Sequence, residues 1–133
     1  MKKLKVAFIC VHNSCRSQMA EAITKILASD VFDAYSAGTE IKSGINPQAV
    51  TTIKNLYHYD MTLLQKPKLI SELPKIDIVI TMGCNVVCPY VPCIHKEDWG
   101  LEDPTGKPAL EFERLAKVIE NKVKDLMVRA KSF

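Results

Sequence analysis

Apolar residues fall along this chain in two rhythms. Val6, Ala7, Phe8 and Ile9 form a short apolar, β-prone run that predicts a buried strand over residues 5–9. Over residues 17–27 the pattern changes. Met19, Ala20, Ala22, Ile23, Ile26 and Leu27 recur at helical spacing with Glu21 and Lys25 between them, which predicts an amphipathic helix. Residues 32–36 read as a second strand, closed by Gly38. Asn46-Pro47 marks a helix start, since Pro47 suits a first helical position where no N–H is needed. That helix continues through Ala49, Val50 and Ile53 to about residue 56. A short helix is predicted at 67–73 and a third buried strand, Ile-Asp-Ile-Val-Ile-Thr, at 76–81. Residues 83–108 are rich in proline and read as one long irregular segment, which in an ordered protein is usually functional. A last amphipathic helix runs over 109–129, with Phe112, Leu115, Val118, Ile119, Val123 and Leu126 on its apolar side. Strands alternating with helices predict one α/β domain over 1–133, a parallel sheet covered on both faces.

Composition narrows the function more than the fold. A chain of 133 residues leaves room for one domain. The net charge of +3 is too small to suggest nucleic acid, and the lysines near both ends read as a solvated face. The mild positive excess would still help attract a small anion. No run approaches the roughly 18 apolar residues that a membrane helix needs. Residues 1–10 make a poor signal peptide, because the apolar run is short and His12-Asn13-Ser14-Cys15-Arg16 follows at once. Five cysteines cannot form a fully paired secreted framework. The cytoplasm is therefore the expected compartment, where cysteines more often serve catalysis, redox chemistry or metal binding.

The sharpest feature is Cys10-Val11-His12-Asn13-Ser14-Cys15-Arg16-Ser17, a Cys-x5-Arg stretch between the first strand and the first helix. At such a turn, backbone N–H groups converge into a nest for a tetrahedral oxyanion, and the helix N-terminus adds free N–H groups and its positive dipole end. The expected anion-binding residues are Val11, His12, Asn13, Ser14, Cys15, Arg16 and Ser17. Arg16 can hold two anion oxygens with its planar fork. The same positive surroundings favour a thiolate at Cys10, to which Ser17 could donate a hydrogen bond. Asn13 suits a left-handed turn in a stretch that has no glycine. Set against this, Cys-x5-Arg fixes only two residue types, and a cysteine ending a strand is often a small buried hydrophobe. The strand–loop–helix context and Ser17 tip the balance to catalysis.

Cys84, Cys88 and Cys93 crowd just beyond the third strand. Loops at the carboxyl ends of parallel strands share one edge of the sheet, so this cluster is expected to face Cys10. With His95 it could hold a metal, although the spacing departs from that of paired zinc knuckles. Alternatively it forms a thiol relay, in which a second thiol attacks the sulfur of Cys10 and a third resolves the pair. Cys88 stands four residues past Cys84, a separation of about 6 Å if the chain is helical there, within disulfide reach. Cys93 lies in the same segment and competes for that role.

The longer stretch from Phe8 to Ala22 resembles the low-molecular-weight tyrosine phosphatase fold, and specifically its arsenate reductase branch. Phosphatases of that fold typically carry proline after Arg-Ser, whereas this chain has Gln18, as the reductases do. Tyr35-Ser36-Ala37-Gly38, Asn46-Pro47, Val79-Ile80-Thr81-Met82-Gly83-Cys84, Cys88-Pro89 and the run from Glu97 to Pro104 extend the resemblance over nearly the whole chain. It implies a four-stranded parallel sheet flanked by helices and a monomer. It also implies arsenate reduction by Cys10, with Asp103 as general acid and Arg16 on the anion. Cys84 and Cys88 then form the final disulfide, reduced by thioredoxin, with glutaredoxin the other candidate. A potassium ion at Asn13, Glu21 and Ser36 belongs to the same set of implications. The rivals are a tyrosine phosphatase on the same fold, and a metal- or redox-sensing module built on Cys84, Cys88, Cys93 and His95. His12 and Trp99 are expected to be structural, and His58 carries no motif.

Overall fold

The computed structural model describes residues 3–40, 44–83 and 91–133. Its four strands are β1 (Leu4–Cys10), β2 (Phe32–Gly38), β3 (Ile78–Thr81) and β4 (His95–Asp98). They form one parallel sheet in the order β2-β1-β3-β4. The helices are α1 (Arg16–Leu27), α2 (Pro47–Tyr57), α3 (Met61–Leu64) and α4 (Ala109–Arg129), with 3-10 turns at Ile70–Glu72 and Ala130–Ser132. From β1 the chain crosses through α1 to β2 on one side, and later returns to β3 on the other side of β1. The strand order thus reverses between β1 and β3, and open parallel sheets hold ligands outside the carboxyl ends of the strands at such a reversal. Cys10 ends β1 there.

Alternation along β1 divides the interior. Val6, Phe8 and Cys10 face the larger core with Met19 and Ile23 of α1, Ile53 of α2 and Phe112, Ile119 and Leu126 of α4. Ala7 and Ile9 face a smaller cluster with Ala37, Ile76 and Val79, covered by Ile70, Leu73, Val91 and Cys93. Each fully buried large side chain, Phe8 or Phe112 for example, contributes about 1.5–3 kcal/mol over leaving it in water. The ends of β1 and β3 are therefore held from both faces, and the loops that leave them start from rigid points.

Two expectations change. The helix predicted at 67–73 shrinks to the 3-10 turn Ile70–Glu72. Lys68 instead donates its amide to Asn13 Oδ1 and accepts from the amide of Gly38, and Leu69 bridges Gly38, so this chain is drawn out along the end of β2. Pro74 pushes Leu73 into the extended region and ends the turn. Within the segment expected to be irregular, His95–Asp98 forms the edge strand β4. Its charged, half-exposed residues carry no apolar alternation, and such charge is how edge strands discourage further pairing. The four-residue helix α3, capped by Asp60, is too short to show a period.

β4 is tied to the C-terminal helix. Glu97 accepts from Arg129 Nη1 and Nη2 at 2.7 and 3.0 Å and from Trp99 Nε1 at 2.7 Å, with His95 Nε2 at 2.7 Å. The His95 ring stacks on Phe133 at 4.2 Å. Arg129 above all, with His95 and Trp99, pulls the Glu97 carboxyl from 4.5 down to about 2. A depressed carboxyl contributes stability above its unfolded pKa and loses it as pH falls through the folded value. Arg129→Met is therefore expected to lower the urea midpoint at neutral pH, with the deficit shrinking as pH falls from about 4.5 towards 2. A deficit that does not change with pH would mean that Arg129 acts only through packing.

Candidate active site

The loop between β1 and α1 has its carbonyls turned outward. Val11 O accepts from the Glu40 amide (3.0 Å) and the Thr39 hydroxyl (3.3 Å), Ser14 O from the Asn46 amide (2.7 Å) and Cys15 O from the Met19 amide (2.9 Å). Asn13 O accepts from Gln18 Nε2 at 3.0 Å. Asn13 itself is left-handed, with φ 53°, which reverses the chain inside the loop. Gly38 lies against the loop so closely that a Cβ there would stand 2.6 Å from Val11 O and 3.0 Å from the Asn13 nitrogen. The amides of residues 12–16 are left without an acceptor among the described residues. α1 begins with no side-chain cap and no acidic residue in its first turn, whereas α2 is capped by Asn46. A helix start of that kind leaves its first amides open to an external cap, for which the helix dipole favours an anion.

Cys10 is 5% exposed, with its Sγ 2.8 Å from Ser17 Oγ. Asn13 Nδ2 donates to the same Ser17 oxygen at 2.8 Å, which leaves the Ser17 proton available to the sulfur when Cys10 is a thiolate. Cys15 differs. Burial first, then the charges of Asp103 and Cys10, push its thiol up to about 12 against the pull of Arg16. Cys15 is thus a neutral thiol that serves the loop through its backbone.

Arg16 Nη1 donates to Met82 O at 2.9 Å and to Leu101 O at 2.8 Å. One amino group thereby joins the exit of β3 to the loop after β4. Its Nε and Nη2 have no partner among the described residues, which leaves a two-donor edge for an anion. Gly83 and Gly100 make the approach of these two segments feasible. Both are left-handed, and a Cβ on Gly83 would fall 2.9 Å from the Gly100 backbone. Asp98 Oδ1 pins the junction, accepting from Thr81 Oγ1 and the Gly83 amide, each at 2.8 Å. Burial works against the charge of Asp98, but the Thr81 hydroxyl, the amides of Gly83 and Gly100 and the Arg16 charge hold its carboxyl below the usual range. A cavity of about 370 Å³ opens here, bordered by Val11, Arg16, Gly83, Leu101, Glu102 and Asp103. Asp103 Oδ1 accepts from the Thr105 amide (3.1 Å) and hydroxyl (2.7 Å), a turn that orients its carboxylate.

The structure thus brings Cys10, Arg16, Ser17 and Asp103 to one end of the sheet. Cys84 and Cys88 lie outside the described residues, but Gly83, which precedes Cys84, borders the cavity. Cys93 is half-buried against the smaller apolar cluster. His95 is held by Glu97 and Phe133, and His12 pairs with Glu40 at 3.0 Å. No group of His, Cys, Asp or Glu fit to hold a metal occurs among the described residues. The residues expected to hold potassium do not fit that ion. Glu21 and Ser36 do meet, at 2.6 Å, but Lys25 pairs with the other Glu21 oxygen and the Lys68 ammonium stands 3.8 Å from the first. Asn13 Oδ1 already accepts from Gln18 and the Lys68 amide. Two ammonium groups supply the positive charge beside Glu21, and another cation would be repelled. Sequence reading missed Gln65, Lys68 and the role of Asp98; of these only Asp98 lay in a recognisable motif.

A Cys-x5-Arg loop with uncapped amides, set at the strand-order reversal of a parallel α/β sheet, defines a phosphatase-type oxyanion-binding protein. The family model of low molecular weight phosphotyrosine protein phosphatase matches residues 5–132, and the chain belongs to that family. The "arsenate reductase 1" of Staphylococcus epidermidis is 39% identical over 127 residues, covering 90% of this chain and 92% of its own. A solved arsenate reductase in the phosphate binding state is similar with a TM-score of 0.84 at 30% identity, covering 96% of this chain and 98% of that one. A thioredoxin-dependent arsenate reductase of Corynebacterium glutamicum gives a TM-score of 0.76 at 30% identity, over 98% of this chain and 63% of the other.

The lysine pairing at Glu21 predicts that the melting temperature is the same in potassium and sodium chloride at equal ionic strength. A rise of several degrees specific to potassium would show that the ion displaces a lysine and binds Glu21.

Proposed function

We propose that this protein reduces arsenate to arsenite with Cys10 as nucleophile, and that thioredoxin returns it to the reduced state. The observation that carries the reading is that Arg16, Asp103 and Gly83, the residue leading into Cys84, border one cavity at the Cys10 loop. The arsenate reductases among its relatives support the oxyanion, and the thioredoxin-dependent one supports the reductant. A reducing cytoplasm is the compartment that would keep the cysteines as thiols, and a single chain carries every residue the reaction needs.

The amides of the loop and the free edge of Arg16 seat arsenate with its arsenic in line with Cys10 Sγ. An S–As bond forms as one oxygen leaves, protonated by Asp103. Cys84 thiolate then attacks Cys10 Sγ. The S–S bond forms, the S–As bond breaks, and its electron pair stays on arsenic, which departs as arsenite. Cys88 attacks Cys84, which frees Cys10 as thiolate and leaves a Cys84–Cys88 disulfide. A dithiol of the thioredoxin type reduces that bond, with two electrons in and two out. Cys93, packed against the smaller cluster, takes no part in this scheme.

The family also contains phosphatases, which would hydrolyse a Cys10 phosphoenzyme with water and need no reductant. Steady-state assays on three variants separate the two. Cys10→Ser should abolish both arsenate turnover and any aryl phosphate hydrolysis. Cys84→Ser should stop thioredoxin-dependent arsenate turnover while leaving aryl phosphate hydrolysis near the wild-type level, since phosphate transfer oxidises no sulfur. Asp103→Asn should slow the chemical step by about 10²–10⁴-fold. Arsenate turnover by Cys10→Ser, or turnover that needs no thiol reductant, would contradict the reading. Thioredoxin compared with glutaredoxin at equal concentration identifies the better electron donor.

A further inference from the structure

Behind the loop runs a buried chain of side-chain amides. Tyr59 OH donates to Gln65 Oε1 at 3.0 Å, and Gln65 Nε2 donates to Gln18 Oε1 at 2.8 Å and Gln18 O at 3.0 Å. Gln18 Nε2 donates to Asn13 Oδ1 at 3.1 Å and Asn13 O at 3.0 Å. Asn13 Nδ2 donates to Ser17 Oγ, which stands at 2.8 Å from Cys10 Sγ. Gln65 is 8% exposed, and Gln18, Asn13 and Ser17 are wholly buried. A primary amide has a donor end and an acceptor end, so orienting one member orients the next. With Gln65 Oε1 accepting from Tyr59, its NH2 faces Gln18, and Gln18 shares the orienting of Asn13 with the Lys68 amide, which donates to Asn13 Oδ1 at 2.9 Å. The sequence runs in one direction and ends on the nucleophile.

We propose that Gln65 is a positioning residue for the reaction of Cys10. Through Gln18 and Asn13 it fixes the direction of the Ser17 hydroxyl, so that a hydrogen bond is ready for the sulfur in its anionic state. The inference rests on Cys10 being the nucleophile and adds a residue 55 positions away, on the far side of the loop. Gln65→Glu is the discriminating change, because it keeps size and removes the donor. A carboxylate can only accept, so Gln18 must turn its NH2 towards residue 65; Asn13 O then loses its Gln18 donor, and Asn13 Oδ1 is left to the Lys68 amide alone. Asn13 is then held less firmly, and with it the Nδ2 that donates to Ser17. Gln65→Met, which has no polar end, removes the donor that holds Gln18 Oε1 and frees Gln18 to turn, without adding charge.

The test is the rate of Cys10 alkylation by iodoacetamide against pH, read by peptide mass mapping on the reduced full chain, together with arsenate kinetics. Both variants should move the midpoint of the alkylation profile to higher pH and lower the rate at neutral pH about five- to tenfold, the worth of one ordinary hydrogen bond. They should lower kcat by a similar factor with less change in KM. In a Ser17→Ala background, Gln65→Met should cost nothing further, since the link it breaks no longer reaches sulfur. An unchanged profile in both folded variants, or effects of Ser17→Ala and Gln65→Met that simply add, would overturn the proposal. If Cys10 of the wild type is not the cysteine that arsenate or phosphate protects from alkylation, the reading of the nucleophile fails instead, and the two failures are distinct.

Discussion

A peptide group is bipolar, so a loop that offers its N–H groups to an anion must turn its carbonyls somewhere else. That constraint organises this end of the molecule. Val11, Asn13, Ser14 and Cys15 each find a donor outside the nest, and those donors come from four places: the chain after β2, the Gln18 side chain, the cap of α2 and the second turn of α1. A buried carbonyl without a donor costs about 1–3 kcal/mol. The loop shape is therefore sustained by the fold rather than by the eight residues of the loop. Gly38 shows how little slack remains, since even a methyl group there would collide with Val11 O.

Arg16 extends the same logic to the rest of the site. Its one amino group fixes Met82 and Leu101, the exit of β3 and the loop that carries Asp103, while its opposite edge stays available. Cys10, Asp103 and the exit of β3 at Gly83 are thereby referred to one guanidinium. A lysine could supply the charge but not the two directions at once. Asp98 and the paired glycines secure the junction from the side of the sheet, and the Glu97–Arg129 tie holds β4 in place behind it.

Much of this was legible in the sequence because it is local. β1, α1, α2 and α4 follow from apolar periodicity and the Asn46-Pro47 start, and α4 has the predicted bounds. The anion loop follows from residue types at a strand–helix junction, and Asn13 was readable as its left-handed residue. What could not be read is what tertiary contact decides. β4 is charged because it lies at an edge, so no apolar pattern marks it. Residues 67–73 have helical appetite but are recruited to back the loop, where Lys68 bonds Asn13 and Gly38. Gln65 is a lone polar residue in sequence, and only the fold sets it beside Gln18, 47 positions away. Potassium was suggested by three residue types, and the two lysines that fill the position are invisible until α1 and the 65–68 segment meet over Glu21.

The central claim is that two electrons pass from this protein through Cys10 to arsenate, and that the resulting disulfide comes to rest on the second cysteine cluster. A single turnover tests it most directly. Fully reduced protein is mixed with excess arsenate in the absence of any reductant, and arsenite and the disulfide are both quantified. The account predicts one arsenite per chain, two thiols lost, Cys10 recovered as a free thiol and a disulfide that maps to Cys84–Cys88. No arsenite without an added reductant, or a product in which Cys10 remains oxidised and the Cys84–Cys88 peptide stays reduced, would contradict it.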